Sequence, residues 1–349
     1  MIKLLVVDDS ALMRKLLDKI FAAEGDFDLR FARSGAEALA EIARDRPDVV
    51  TLDINMPDMD GLACLDRIMI EHPCPVVMVS SFSASGGQLT LEALRRGAID
   101  FVAKPAGAIS LEIDTLRLQL LEKVRAASRA KLRSTHRLQE RVRHRMGTAA
   151  PLRRRGVAAG EGLVLVGTST GGPPALEALL LPLPEGFRWP VVVAQHMPAA
   201  FTGALARRLD GICAVTVIEL DEQVVLRPGN IYIGKGDADI VINSTPGGFT
   251  GMSVAADRNY PWHPSTDRLV RSAMAACDPR QLVGVLMTGM GNDGAQAMTQ
   301  LHQAGGRTIA EAEETAVVWG MPGELVKAGG AGWVVPLHEI TPLLRRLVG

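Results

Sequence analysis

Aromatic residues make up only 4% of this 349-residue chain, and its formal net charge is −1. So small a net charge argues against a protein that binds nucleic acid over its whole surface. There are four cysteines, Cys64, Cys74, Cys213 and Cys277, and no two stand in C-x-x-C spacing. That argues against a disulfide frame or a zinc site and predicts a reducing, cytoplasmic setting. No uncharged apolar run approaches the ~18 residues a membrane helix needs. The first apolar stretch, Ile2–Val7, runs straight into Asp8-Asp9, so no signal peptide is expected. No internal repeat of 20–50 residues occurs. What is present is a 47% hydrophobic chain, too apolar for disorder, and long enough for two domains of roughly 150 residues.

Residues 1 to about 105 alternate short apolar runs (Ile2–Val7, Leu29–Ala32, Val49–Leu52, Val76–Val79, Ile99–Val102) with amphipathic stretches such as Leu12–Phe21. Nearly continuous apolar runs suit strands buried on both faces, and five alternations predict a parallel, doubly wound α/β sheet. From 117 to 155 the character changes: thirteen Lys and Arg face only Glu122 and Glu140. A last helix running into a basic linker is expected, as a solvated face and tether. Contact with nucleic acid or an anionic membrane is the other option, although no aromatic is interleaved for base stacking. After Gly156 the alternation resumes, with strands at Leu163–Val166, Val191–Ala194 and Leu282–Met287 and helices at Leu176–Leu181, Thr202–Leu209, Asp267–Cys277 and Ala295–Ala304. The β-branched, Gly-rich stretch from Ala214 to Val254 reads as hairpins inserted in that α/β core. The expected domains are 1–116, a linker over 117–160, and 161–349.

Asp8 and Asp9 follow the first strand and Asp53 ends the third. Carboxyl ends of neighbouring parallel strands share one crevice. Three carboxylates there repel each other unless a cation intervenes, and oxygen-only ligands suit Mg2+. The third carboxylate can then act as nucleophile toward a phosphoryl group. Ser80 closes the fourth strand and Lys104-Pro105 follows the fifth, placing a hydroxyl and an ammonium at the same rim. Any one of these acids alone reads as a helix cap or turn residue; all five positions at strand ends favour a site.

These residues, with Met56-Pro57 and Asp60-Gly61, make residues 1 to about 105 resemble a response-regulator receiver domain. The resemblance implies Asp53 as phospho-acceptor, Asp8, Asp9 and the Asn55 carbonyl as Mg2+ ligands beside it, Ser80 and Phe101 as a switch pair, and Lys104 as phosphoryl contact.

In the second domain the strand Leu163–Val166 is followed by Gly167-Thr168-Ser169-Thr170-Gly171-Gly172, then Pro173-Pro174 and a helical pattern. This G-x-S-x-G turn has the ingredients of a nucleophile elbow. Glycines permit the sharp turn, proline suits the first helical turn, and the helix N-terminus favours a developing anion. A phosphate cradle is the rival, though the turn carries neither G-x-x-x-x-G-K-[ST] nor G-x-G-x-x-G. His196 ends the next apolar strand, and Asp293 lies just past the Leu282–Met287 strand. Alone, each reads as a strand-end histidine or a turn aspartate. Together they supply the imidazole that a serine needs and the carboxylate that holds its tautomer. His263, His302 and His338 lack such placement. The order Ser, His, Asp is not that of α/β-hydrolases, so a different topology is expected.

The strings Gly167–Gly172, Gln195-His196-Met197-Pro198 with Phe201-Thr202, Pro264-Ser265 with Asp267, and Thr288–Ala295 resemble the catalytic domain of the chemotaxis protein-glutamate methylesterases, which are also protein-glutamine glutaminases. With the receiver ahead, the resemblance spans nearly the whole chain. It implies an α/β catalytic domain with a mainly parallel sheet, in which Ser169 is nucleophile, His196 general base and acid, and Asp293 its orienting partner. The Met290 N–H, with the Thr170 side chain or amide, becomes the candidate oxyanion donor. It further implies a phosphorylation-gated cytoplasmic enzyme, a histidine kinase as phosphoryl donor, cytoplasmic chemoreceptor helices as substrate, and no cofactor for ester hydrolysis. A monomer with no nucleic-acid partner and no membrane insertion is expected. A paralogue serving another sensory array, or a regulator whose output domain only binds, are the alternatives.

Overall fold

The structure is a computed structural model that describes residues 1–81, 84–104, 112–130 and 162–349. The chain forms two compact units, Met1–Arg133 and Ser134–Gly349. Among the described residues no helix is long and apolar enough to cross a membrane.

In the first unit β1 (Ile2–Val7), β2 (Phe27–Ala32), β3 (Val49–Asp53), β4 (Val76–Ser81) and β5 (Asp100–Lys104) form one sheet in the order β2-β1-β3-β4-β5. All four neighbouring pairs are parallel. Three helices start on a local signal: Ser10, Ser34 and Asp60 accept from the backbone N–H three residues on, which satisfies a donor the first turn leaves open. The strand order reverses between β1 and β3, so a crevice opens at their carboxyl ends, where Asp8, Asp9 and Asp53 stand. Gly61 has to be glycine, because a Cβ there would lie 2.1 Å from the Asp53 carbonyl oxygen.

The last helix of this unit crosses the expected boundary at 116. The helix Glu112–Ser128 buries Leu116, Leu120, Leu121, Val124 and Ala127, and it packs against β3, β4 and β5. Part of the basic run is therefore receiver structure rather than tether. Lys123 donates to Asp100 (2.9 Å) and the Phe101 carbonyl (2.8 Å), and Arg125 pairs with Asp26 and Glu24. Arg117 pairs with Glu24 as well. These cations are spent on acids of their own domain, which removes them from any nucleic-acid patch. Pro105 and the rest of the expected linker from Lys131 lie outside the described residues.

The second unit is built on seven strands in the order β15-β14-β13-β6-β7-β10-β8. In chain order these are β6 (Leu163–Thr168), β7 (Val191–Gln195), β8 (Thr216–Leu220), β10 (Asn230–Gly234), β13 (Leu282–Leu286), β14 (Arg307–Glu311) and β15 (Trp333–Val335). Every pair is parallel. The expected run of hairpins over 214–254 holds only in part. Two of its strands, β8 and β10, extend the parallel sheet; only β9 (Val224–Val225), β11 (Ala238–Thr245) and β12 (Gly248–Ala255) make a separate antiparallel sheet. The core strands β6, β7 and β13 are buried throughout. β6 lies between β7 and β13, with the chain departing to one side and later returning to the other. The three segments leaving these strands, at Ser169, His196 and Thr288–Asp293, thus share one rim.

Candidate active site

The rim of the first unit gathers acid. One oxygen from each of Asp8, Asp9 and Asp53 lies within 4.8 Å of the others. Lys104 Nζ bridges two of them, 2.9 Å from Asp8 Oδ2 and 2.8 Å from Asp53 Oδ2. One ammonium against three carboxylates leaves the crevice short of positive charge, and donors made only of oxygen fit a hard divalent ion. Asp8 Oδ1 accepts from the Ser10 N–H and Asp53 Oδ1 from the Asn55 N–H. Burial pushes the Asp53 carboxyl above its ordinary value; Lys104 opposes this and Asp8 adds to it. Burial works against the Lys104 charge, yet Asp53 and Asp8 hold its ammonium above the usual range. Ser80 lies one residue past Val79, which pairs with Asp53, and it is buried. Phe101, on β5 beside β4, is buried beneath the Lys123 ammonium, 5.0 Å from its ring centroid.

The rim of the second unit is held by hydrogen bonds. Gly167 cannot bear a Cβ, which would strike Thr266 at 2.4 Å, and Gly171 takes the left-handed φ of +76° that ends the elbow. The helix Gly172–Leu180 then starts with Pro in its first turn. Ser169 is pinned through its backbone. Its N–H donates to the Thr288 carbonyl (3.0 Å), and its carbonyl accepts from the Gly172 N–H (2.8 Å) and Gln195 Nε2 (3.0 Å). On the neighbouring strand the His196 N–H donates to the Thr168 carbonyl, so Ser169 and His196 leave adjacent strand ends side by side.

His196 Nε2 lies 2.8 Å from Asp293 Oδ2. Asp293 also accepts from the Ser265 hydroxyl and from the N–H groups of Thr266 and Asp267. It therefore caps the helix Thr266–Ala276 from outside that helix while holding the imidazole. Burial would raise its carboxyl, but His196 first, then the Asp267 and Thr266 N–H groups, keep it below the ordinary range. An ionised carboxylate only accepts, so Nε2 carries the proton and Nδ1 the lone pair. Nδ1 is buried and has no hydrogen-bond partner among the described residues. The structure thus joins His196 to Asp293 and brings Ser169 to the same rim without a hydrogen bond between serine and imidazole, a contact that often tightens only when substrate is bound.

Asp267 reciprocates the cap, accepting from the Ala297 N–H (2.7 Å) at the start of the helix Ala295–Gln303. Burial raises its carboxyl, and the charge of Asp293 adds to the effect. Gly289 lies so close that a Cβ on it would come 2.9 Å from Ser169 Cβ, which sets the half-buried Met290 next to the serine. Thr170 is buried, and its carbonyl accepts from the Thr288 hydroxyl.

Several neighbours were not legible as site residues. Trp262 stacks on the His196 ring, with centroids 6.1 Å apart and planes 7° off parallel. Glu311, fully buried at the end of β14, accepts from the Thr288 N–H (2.8 Å), and burial pushes its carboxyl up to about 7. His263, set aside for lack of placement, in fact lies beside Trp262 with Nδ1 2.9 Å from buried Asp239, which also pairs with Arg268. An acid closing the short apolar run Ile309-Ala310 is the available signal for Glu311; Trp262 offers none.

Comparison with known proteins gives the family of each domain. A family described as CheB methylesterase matches residues 164–344, and the response regulator receiver domain matches residues 4–113. The protein-glutamate methylesterase/protein-glutamine glutaminase 2 of Rhodopseudomonas palustris is 55% identical, with 97% of this chain and 96% of the relative covered. The corresponding protein 3 of Rhodospirillum rubrum is 50% identical, with 97% and 94% covered. Among solved structures, the CheB methylesterase catalytic domain of Thermotoga maritima is similar with a TM-score of 0.52 and 34% identity, over 54% of this chain and 99% of that one.

Proposed function

The chain belongs to the CheB methylesterase family and carries a response-regulator receiver domain ahead of the catalytic one, and on that premise we propose that Ser169, His196 and Asp293 hydrolyse glutamate methyl esters and glutamine amides on a chemoreceptor. The observation that carries this is the 2.8 Å contact of Asp293 with His196 Nε2, which leaves Nδ1 as the free base at the rim where Ser169 stands.

Nδ1 takes the Ser169 proton as Oγ attacks the side-chain carbonyl carbon. The imidazolium that forms is stabilised by Asp293, whose other three hydrogen bonds keep it ionised and in place. The carbonyl oxygen becomes an oxyanion and takes the Met290 N–H, with the helix start after Gly171 adding positive potential. Collapse breaks the bond to the leaving group, which departs as methanol, or as ammonia from glutamine, with the proton from Nδ1. Water then adds to the acyl-serine by the same proton path, freeing glutamate and Ser169. Release of methanol from methylated receptor membranes tests this. Ser169→Ala should lower it ~10⁴–10⁶-fold, and a variant turning over at the parental rate would falsify the assignment.

The receiver supplies control. Asp53 is the phosphoryl acceptor, Asp8, Asp9, Asp53 and the Asn55 carbonyl would hold a Mg2+ ion, Lys104 meets the phosphoryl oxygens, and Ser80 and Phe101 form the responding pair. A bound Mg2+ would neutralise the acid cluster and polarise the incoming phosphoryl group. A histidine kinase is the donor. Phosphorylation biases a two-state equilibrium and builds no new catalytic group. Equal rates with and without acetyl phosphate, in the full chain and in a 161–349 fragment, would remove the gating claim.

A further inference from the structure

A cavity of about 470 Å³ opens beside the triad, and Trp262, Asp267, Arg271, Asn292, Asp293 and Gln296 are among its walls. It is continuous with the reaction centre through two of them. Asp293 holds His196, and Trp262 lies parallel to the His196 ring. Trp262 also packs so tightly on Gly291 that a Cβ there would come within 2.7 Å of its ring, so the same indole abuts the segment that carries Met290.

Arg271 is the one cation in these walls. Its NH1 group donates to Gln300 Oε1 (2.7 Å) and its NH2 group to Gln296 Oε1 (2.9 Å), both neutral amides. Asp267 feels its charge, which works to lower that carboxyl, but among the described residues neither nearby carboxylate forms an ion pair with it. Asp293 is engaged by four donors, and Asp267 spends an oxygen on the Ala297 N–H. A guanidinium has five N–H donors in a fixed fork suited to a carboxylate, so donors remain over in a cavity otherwise rich in amide groups.

We propose that this cavity grips the substrate protein beside the modified glutamate, with Arg271 taking the carboxylate of an acidic side chain on that segment. The inference rests on the esterase reading and adds to it: Arg271 decides which glutamates are served, while the triad decides what is done to them. A charge contact made equally before and during reaction changes KM and leaves kcat nearly alone.

The test uses the full-length protein with two substrates, methylated receptor membranes and p-nitrophenyl acetate, which has no acidic neighbour. Arg271→Gln should raise KM for receptor about tenfold, as for loss of a charge-assisted contact at an interface, with kcat held within about twofold. Arg271→Lys should recover most of the loss, and added salt should raise the parental KM more than that of Arg271→Gln. Turnover of the small ester should fall far less than receptor turnover. An unchanged receptor KM in Arg271→Gln overturns the proposal. So does an equal fall on both substrates, which would make Arg271 a tie between two helices. A parental protein that cleaves the small ester but releases no methanol from receptor overturns the esterase reading itself, and the inference with it.

Discussion

The two domains each gather carboxylates at the open ends of a parallel sheet, and they keep them there by opposite means. In the receiver, Asp8, Asp9 and Asp53 crowd together with one ammonium, Lys104, among them. In the catalytic domain Asp293 has one acidic neighbour, Asp267, and is held by four donors, two of them backbone N–H groups at a helix start. The crowded set is left wanting a cation; the saturated one is complete in itself. On the proposed function the difference has a reason: an acid cluster that exchanges a phosphoryl group has to stay under-satisfied, and an acid that orients an imidazole has to stay ionised through every turnover.

Removing the saturated carboxylate is the harshest break of this contrast. Asp293→Asn should lower kcat by ~10³–10⁴, because an amide cannot hold the His196 tautomer and stabilise its cation. It should also lower Tm, since the amide keeps only one of the two oxygens that accept from the Thr266 and Asp267 N–H groups and turns a donor toward the other, at about 1–2 kcal/mol. The pH dependence has a definite sign. The Asp293 carboxyl lies below its ordinary 3.8, so its stabilisation is complete above that value and is lost as pH falls through the lowered folded one. Melting curves on the acid side should show this loss in the parent and not in the variant. A variant as stable as the parent at neutral pH would mean that the cap carries no weight.

Glu311 sharpens the contrast from the opposite side, as a carboxyl buried without charge compensation. Its ordinary value of 4.5 is pushed up to about 7. Between those values the unfolded chain has lost the proton that the folded chain keeps. Stability therefore falls as pH rises from 4.5 through 7 and is level above. Glu311→Gln retains an acceptor for the Thr288 N–H and has no proton to lose. Its advantage over the parent should grow by about 3 kcal/mol between pH 4.5 and 8. Denaturant melts at the two pH values read this directly, and a constant difference would rule the titration out.

Most of this rim could be read from the sequence because it depends on adjacency. Asp8 and Asp53 directly follow their short, mainly apolar runs, His196 stands one residue further on and Ser169 two, and parallel topology brings such ends together. What escaped depends on longer range. β8 and β10 read as hairpin strands, since β-branched residues and glycines do not say which sheet a strand will join. The helix Glu112–Ser128 reads as the start of a tether because its cations mask the buried stripe of Leu116, Leu120, Val124 and Ala127. β14 carries charge at both ends and β15 exposes Trp333 and Val334 at the sheet edge, so neither has the periodicity of a buried strand. Trp262 and Arg271 gain their meaning only when the segment 256–264 folds back beside His196, which no local pattern encodes.

The mildest break concerns the crowded set. The side chain of Asp9 is exposed and accepts no hydrogen bond among the described residues, yet it contributes one of the three clustered oxygens. Neutralising it removes repulsion without orphaning a donor. Asp9→Asn should therefore raise receiver stability, by about 0.5–1 kcal/mol given the screening at an exposed site. The same change removes a charged ligand, so millimolar Mg2+ should raise Tm in the parent and much less in the variant. Thermal melts of the two proteins with Mg2+ or with a chelator separate these effects. A variant that melts below the parent in chelator would show that Asp9 is held by attractive contacts, and the division between a crowded and a saturated rim would then fail at its most exposed residue.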